Sequence, residues 1–354
     1  MAPVLMELKK ESRLFDTKVV VTGQHRGMLD QTLSTFGITA DHDLNIMAQD
    51  QTLDQVLTRA LVGTGEVLDA TTPDVVLVQG DTTTAMAAAL AAHHRQIKVG
   101  HVEAGLRSFD KHNPFPEEIN RTTIDSIADF CFAPTDLSRA NLLKAGIPEN
   151  KIFVTGNTVV DALLMISKEE HKFENKDLDA IDFVQHRVIL LTTHRRENYL
   201  TGDIHNIMQG VNALLKKHRD LHIVFPLHPN PNVRSAVEKS MNKSDRMHAV
   251  EPLSYRDLVG VMRRCYLVLT DSGGIQEEAP AFGKPVLVLR SVTERPEGVM
   301  SGVAKLVGTN ASTIIAEVER LFDANAYEKM ARAVNPYGDG TAAKKITNIL
   351  KDNL

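Results

Sequence analysis

Short apolar runs recur along the chain, each closed by a glycine or a polar turn, and longer stretches of mixed polarity separate them. Residues 18–22, 74–79, 97–102, 130–133 and 151–154 form one series of such runs. Residues 187–192, 221–226, 247–250, 266–270, 285–289 and 304–307 form a second. Few of them alternate apolar with polar positions, so they predict strands buried on both faces rather than half-exposed ones. The stretches between them predict helices. A strand–helix alternation of this kind implies α/β architecture with parallel sheets covered on both sides. Residues 168–185 are charged and weakly periodic, and they predict a linker between a domain spanning 1–167 and one spanning 186–337. A Gly-rich turn at 338–340 opens a last helix, 338–354.

Length agrees with two domains, since 354 residues exceed one ordinary core. A hydrophobic content of 43% with 24% charged residues is that of a globular protein. The formal net charge of -5 argues against nonspecific nucleic-acid binding. No apolar run reaches the roughly 20 residues needed to cross a bilayer, so no membrane partner is expected. The two cysteines, Cys131 and Cys265, sit among apolar strand residues. They predict buried, reduced thiols and with them a cytoplasmic location.

Parallel sheets bind ligands outside the C-terminal ends of their strands. The run Asp271-Ser272-Gly273-Gly274 follows such a strand and opens a helix. The N–H groups of Ser272, Gly273 and Gly274 then suit a phosphate. Glu278, one turn on, can accept hydrogen bonds from ribose hydroxyls. Arg295, on the Pro- and Gly-bounded loop Thr293-Glu294-Arg295-Pro296-Glu297-Gly298, is a candidate phosphate clamp. In the first domain Asp81 follows one strand, Glu103 ends the next, and Glu117 opens the helix after that. Three carboxylates at one edge disfavour joint ionisation, which would supply an acid and a base without a metal. Asp81 and Glu117 also stand where a helix N-terminus favours negative charge, so capping is an alternative for both. His101 and Glu103 share a strand face and are a weaker, metal-binding alternative. Gln24 and His25 at a strand end, Arg195 after His194, and His228 with Arg234 on a Pro-bounded loop are further ligand candidates. No G-x-G-x-x-G follows a strand, so nicotinamide chemistry is unsupported, and no cofactor is expected.

The segments Gly80-Asp81-Thr82-Thr83-Thr84, Gly100-His101-Val102-Glu103-Ala104-Gly105-Leu106-Arg107, Pro114 to Glu118 with Asn120-Arg121, and Gly156 to Leu163 occur in that order. Thr193 to Asn198, Leu227 to Arg234, Thr270 to Gly298 and Asn335 to Gly340 follow. Together they resemble the non-hydrolysing UDP-N-acetylglucosamine 2-epimerases over most of the chain. The resemblance implies the GT-B fold of two facing Rossmann-like domains, with the C-terminal helix returning to the first. It implies an isomerase that interconverts UDP-GlcNAc and UDP-ManNAc by elimination and re-addition of UDP, in nucleotide-sugar metabolism that feeds cell-surface polysaccharides. Asp81, Glu103 and Glu117 would do the acid–base work and His194 would assist the departing phosphate. Arg121 and Arg195 would contact substrate. A homodimer is also implied. A GT-B glycosyltransferase would share the nucleotide site and stands as an alternative.

One departure stands out. The family opens with a strand and a Gly-Thr-Arg-Pro-Glu-Ala-Ile-Lys motif that runs directly into Met-Ala-Pro, the residues at which this sequence starts. That first strand is central in a Rossmann-like sheet. Its absence would open a gap in the first domain, impair folding and turnover, and favour a UDP-sugar binder with little catalysis.

Overall fold

The computed structural model describes residues 1–24, 26–168, 171–193, 202–228 and 230–354, without the side chains of Met28, Pro231 and Asn232. The chain divides into two compact units. Unit 1 comprises Met1–Ala162 with Gly338–Leu354, and unit 2 comprises Leu163–Tyr337.

In unit 1 the elements are α1 (Ala2–Lys10), β1 (Val20–Val21), α2 (Arg26–Thr35), β2 (His42–Asp43), α3 (Leu53–Thr71), β3 (Val75–Gln79), α4 (Thr83–His93), β4 (Lys98–Val102), α5 (Glu117–Ile127), β5 (Phe130–Ala133), α6 (Asp136–Lys144) and β6 (Ile152–Val154). Next, α7 (Thr158–Ser167) carries the unit boundary. The strands fall into two parallel sheets, β1-β2 and β3-β4-β5-β6. Among the described residues nothing pairs β1 with β3. Helix α3 is tightly packed at Gly65, where a Cβ would sit 2.7 Å from the Arg95 guanidinium just beyond α4. The stretch 24–73 shows no clear apolar run, yet it holds α2, β2 and the long α3. Thr52 opens α3 with a capping box to Gln55, a signal written in side chains rather than in hydropathy.

In unit 2 the strands are β7 (Arg187–Thr192), β8 (Leu221–Pro226), β9 (Met247–Val250), β10 (Leu267–Thr270), β11 (Val286–Val288) and β12 (Ala304–Leu306). They form one parallel sheet ordered β12-β11-β10-β7-β8-β9, so the chain starts in the middle and builds outward twice. The helices are α8 (Asp203–Lys217), α9 (Pro231–Ser240), α10 (Tyr255–Arg264), α11 (Gly273–Glu278), α12 (Pro296–Ser301), α13 (Ala311–Arg320) and α14 (Ala324–Ala331). Helix α8 shows why they form: Ile204, Ile207, Met208, Val211, Leu214 and Leu215 recur at helical spacing and are all buried. They pack with Ile189, Leu191, Ile223, Phe225, Leu267 and Leu269 of the sheet. Each such side chain gains roughly 1.5–3 kcal/mol from burial.

The charged stretch predicted as a linker is folded onto unit 2. Buried Asp257, in the first turn of α10, accepts hydrogen bonds from the Glu174 and Asn175 N–H groups at 3.0 and 2.9 Å, and pairs with His171 Nε2 at 2.6 Å. Leu178 and Ile181 are buried, and the Phe173 and Phe183 rings lie 5.8 Å apart. Those apolar residues are spaced too irregularly among lysines and glutamates to show as a period.

The last helix, α15 (Ala342–Asn353), belongs to unit 1. The buried Asp161 carboxylate accepts from the Ala342 and Ala343 N–H groups at 3.2 and 2.9 Å, at a helix start where the preceding Thr341 makes no side-chain cap. Ala343, Ile346 and Leu350 then pack against Val4 and Leu8 of α1. Asp161→Ala should remove that anchor and cost about 1 kcal/mol. Hydrogen exchange should show faster exchange at the start of α15 and unchanged protection in unit 2.

Candidate active site

Unit 1 gathers its chemistry at the C-terminal ends of β3 and β4. After β3 the chain turns through Gly80, at φ +70, and presents Asp81. The Asp81 carboxylate meets the Arg121 guanidinium, with Arg121 Nε donating at 3.1 Å. Capping of α4 falls instead to Thr82, whose hydroxyl accepts from the Ala85 N–H at 3.1 Å. The capping alternative for Asp81 is therefore set aside, and its side chain is left for the site. After β4, Glu103 takes the left-handed region at φ 71, an arrangement that a non-glycine residue adopts at a cost. Its N–H is held by Phe132 O at 3.1 Å, and its Oε1 accepts from Asn157 Nδ2 at 3.3 Å. A Cβ on Gly80 would lie 3.4 Å from Glu103 Oε2, so the Glu103 carboxylate lies over the turn that carries Asp81.

Helix α5 supplies the third edge. Glu117 is its first residue, and the preceding Pro116 makes no side-chain cap. Glu117, Arg121 and Asp125 follow at four-residue spacing and so share one helical face. Neighbouring Glu118 is buried and accepts from the Ser108 and Phe109 N–H groups, both at 3.0 Å, and from Arg121 Nη1 at 3.2 Å. It fixes the loop between β4 and α5. Arg121, expected to contact substrate, thus already serves two carboxylates. Asn120 Nδ2 donates to Asp81 O at 2.9 Å. The roles of Asn120 and Asp125 escaped the sequence reading because their partners, Asp81 and His101, are distant in the chain. The metal alternative for His101 fails on geometry, since both ring nitrogens are engaged, by Asp125 and by Gly80 O. Among the described residues no group of three or more His, Cys, Asp or Glu is placed to hold a metal ion.

In unit 2, β10 ends in Thr270, whose hydroxyl accepts from the Ser272 N–H at 2.9 Å. Buried Asp271 accepts from Thr193 Oγ1 at 2.9 Å and ties this turn to the end of β7. Ser272 precedes α11 and makes no side-chain cap, which leaves the Gly273 and Gly274 N–H groups without a donation to it. A Cβ on Gly274 would meet nothing within 4 Å, so open space adjoins that end of the helix.

Two carboxylates follow one another on α11 with opposite environments. Glu277 is paired with Arg295 Nε. Arg295, predicted as a phosphate clamp, therefore has one face of its guanidinium committed to a buried acid. Its loop is fixed as well: Thr293 Oγ1 donates to Gln276 Oε1 at 2.7 Å, and Tyr337 Oη donates to Arg295 O at 3.3 Å. Glu278 is 7% exposed and accepts a hydrogen bond from Tyr255 Oη at 3.2 Å. Burial pushes its carboxyl up to about 7; the Tyr255 bond acts against that shift and neighbouring Glu277 adds to it. The Tyr255 hydroxyl is raised too, by burial and then by Glu278.

Gln24 lies in the turn after β1, partly exposed. His228 Nδ1 accepts from the Asn230 N–H at 3.2 Å. Arg234, read as a possible ligand, pairs instead with Glu251, with Nη1 donating at 2.9 Å. His25, His194, Arg195 and Arg196 lie outside the described residues. Both thiols are buried and unpaired with one another, and burial pushes each up to about 12. Among the described residues no helix is long and apolar enough to cross a membrane.

The sequence model for UDP-N-acetylglucosamine 2-epimerases matches residues 6–351. The chain belongs to this family. It is 46% identical over 359 residues to the UDP-N-acetylglucosamine 2-epimerase of Escherichia coli K12, spanning 100% of this chain and 95% of that one. It is 47% identical over 351 residues to the enzyme of Bacillus subtilis 168, spanning 99% and 91%. The crystal structure of the Neisseria meningitidis UDP-GlcNAc 2-epimerase bound to UDP-GlcNAc superposes with a TM-score of 0.88 at 46% identity, over 100% of this chain and 96% of that one. Like those epimerases, the chain has the GT-B fold, built here from parallel sheets in two units.

In this epimerase-family chain the raised Glu278 carboxyl has a signed consequence. The unfolded chain loses that proton near pH 4.5 and the folded chain near 7, so folding is penalised increasingly as pH rises through that window. Glu278→Gln should therefore gain stability over the parent at pH 8, on the order of 3 kcal/mol at most, and little at pH 4. Thermal melts at the two pH values check this.

Proposed function

We propose that this chain interconverts UDP-N-acetylglucosamine and UDP-N-acetylmannosamine by elimination and re-addition of UDP. Family membership over residues 6–351 is the observation that carries the activity. The carboxylates at the ends of β3 and β4 and at the start of α5 support the chemistry. The inverted C-2 proton is not beside a carbonyl, so a base alone cannot form a stabilised carbanion there. Elimination solves this. A carboxylate takes the C-2 proton as the C-1–oxygen bond to UDP breaks, and the C–H electron pair becomes a C-1=C-2 double bond. Protonation of C-2 on the opposite face, with a UDP oxygen returning to C-1, gives the epimer. One group must act as base and another as acid, which suits Asp81, Glu103 and Glu117.

In the same reading unit 2 binds the nucleotide. The Ser272 N–H is already held by Thr270 Oγ1, so the Gly273 and Gly274 N–H groups, beside the Ser272 hydroxyl, take the diphosphate, joined by Arg295 and by His194, Arg195 and His228. Glu278 takes the ribose hydroxyls and exchanges its buried proton for their hydrogen bonds. Gln24, His25 and Arg121 contact substrate from unit 1. A homodimer working in the cytoplasm, with no nucleic-acid or membrane partner, completes the proposal.

A second reading is a UDP-sugar binder impaired in turnover. The division of unit 1 into two sheets favours it, because unpaired strand edges weaken the frame that holds Asp81.

In deuterated water, UDP-GlcNAc should yield UDP-ManNAc with deuterium at C-2. Asp81→Asn, Glu103→Gln and Glu117→Gln should each lower kcat by about 10²–10⁴-fold. Tight binding without exchange would favour the impaired binder. Release of UDP only when a sugar acceptor is added would favour a glycosyltransferase.

A further inference from the structure

His101 is fully buried in the middle of unit 1, between two acceptors. Its Nε2 lies 2.8 Å from Gly80 O. A carbonyl oxygen only accepts, so Nε2 carries a hydrogen. Its Nδ1 lies 2.6 Å from Asp125 Oδ1. With Nε2 already protonated, a neutral ring would turn the Nδ1 lone pair onto a carboxylate lone pair at that distance, which is repulsive. A second hydrogen must therefore lie between Nδ1 and Asp125. The other oxygen of Asp125 forms an ion pair with Arg107 Nη2 at 2.6 Å and accepts from the Gly105 N–H at 3.3 Å. Asp125 is 1% exposed and the Arg107 side chain 4%, so water does not supply the proton. Whichever side of the short bond holds it, His101, Asp125 and Arg107 together carry one net positive charge.

We propose that His101 and Asp125 share a buried proton and act as positioning residues for the carboxylates of unit 1. The network reaches each strand end. His101 fixes the carbonyl of Gly80, directly before Asp81. Asp125 holds the backbone and side chain of the Gly105–Arg107 turn, which begins two residues after the left-handed Glu103. Gly105 leaves this turn no slack: at φ +84, a Cβ there would sit 2.3 Å from Ser138 O. Asp125 also shares its helical face with Glu117 and Arg121, so one stripe of α5 sets all three carboxylates.

The effect on turnover rests on the carboxylate roles proposed above; the shared proton does not. The test takes the whole chain labelled with 15N-histidine. His101 Nε2 should carry a hydrogen, and a far-downfield proton should lie between Nδ1 and Asp125, which Asp125→Asn should abolish. An Nε2 without a hydrogen, or no such downfield proton in the parent protein, overturns the proposal. In parallel, His101→Gln, which keeps a donor toward Gly80 O but loses the Asp125 link, and Asp125→Asn are assayed with UDP-GlcNAc. Both should lose on the order of 10²-fold in kcat with KM changed less than about twofold. Parent-like kcat in both variants overturns the positioning role while the epimerase reading stands. If the parent itself gives no conversion, the epimerase reading falls, and the nitrogen spectrum alone decides the shared proton.

Discussion

One face of one helix sets the geometry of unit 1. Parallel strands leave β3 and β4 at the same edge, but that polarity places backbones, not carboxylate oxygens. Residues four apart on α5 supply the rest: Arg121 reaches Asp81, and Asp125 reaches His101, Arg107 and the Gly105 N–H. Each contact is charge-assisted and largely out of water, where a misplaced or unpaired partner is costly. The left-handed Glu103 is one of the points at which unit 1 accepts backbone strain, and the surrounding bonds hold it there.

Unit 2 treats its acids differently. Glu277 is paired with Arg295, while Glu278, next in sequence, meets a tyrosine hydroxyl and is pushed by burial toward its protonated form. The first pairing stiffens a loop. In the proposed binding mode, ribose hydroxyls would donate to Glu278 and stabilise its anion. The same helix thus carries a structural ion pair and a buried carboxyl raised by burial.

Much of this was legible in the sequence wherever the signal is local. Strand positions in unit 2 follow from unbroken apolar runs, and β7, β8 and β9 match their runs residue for residue. Asp81 and Glu103 were legible as strand-end acids. The allotment of caps was not, because Asp81 and Thr82 compete for α4 and only the structure shows the hydroxyl winning. Asp125 looked like an ordinary helical acid; its partners lie 20 and 24 residues away at Gly105 and His101. Residues 168–185 looked like a linker because their charges dominate, whereas Asp257, more than 80 residues downstream, holds Glu174 and Asn175 onto unit 2. Arg234 looked like a ligand by its loop and proved to be held by Glu251.

The central claim is that UDP leaves and returns while the sugar is inverted, and isotope position tests it most directly. UDP-GlcNAc carrying 18O in the bridge between C-1 and the β-phosphorus should be incubated with the chain and recovered by phosphorus NMR. Cleavage and re-addition predict 18O moving from the bridge into the non-bridging β-phosphate positions, in step with epimerisation. Conversion to UDP-ManNAc with the label retained wholly in the bridge would contradict the account.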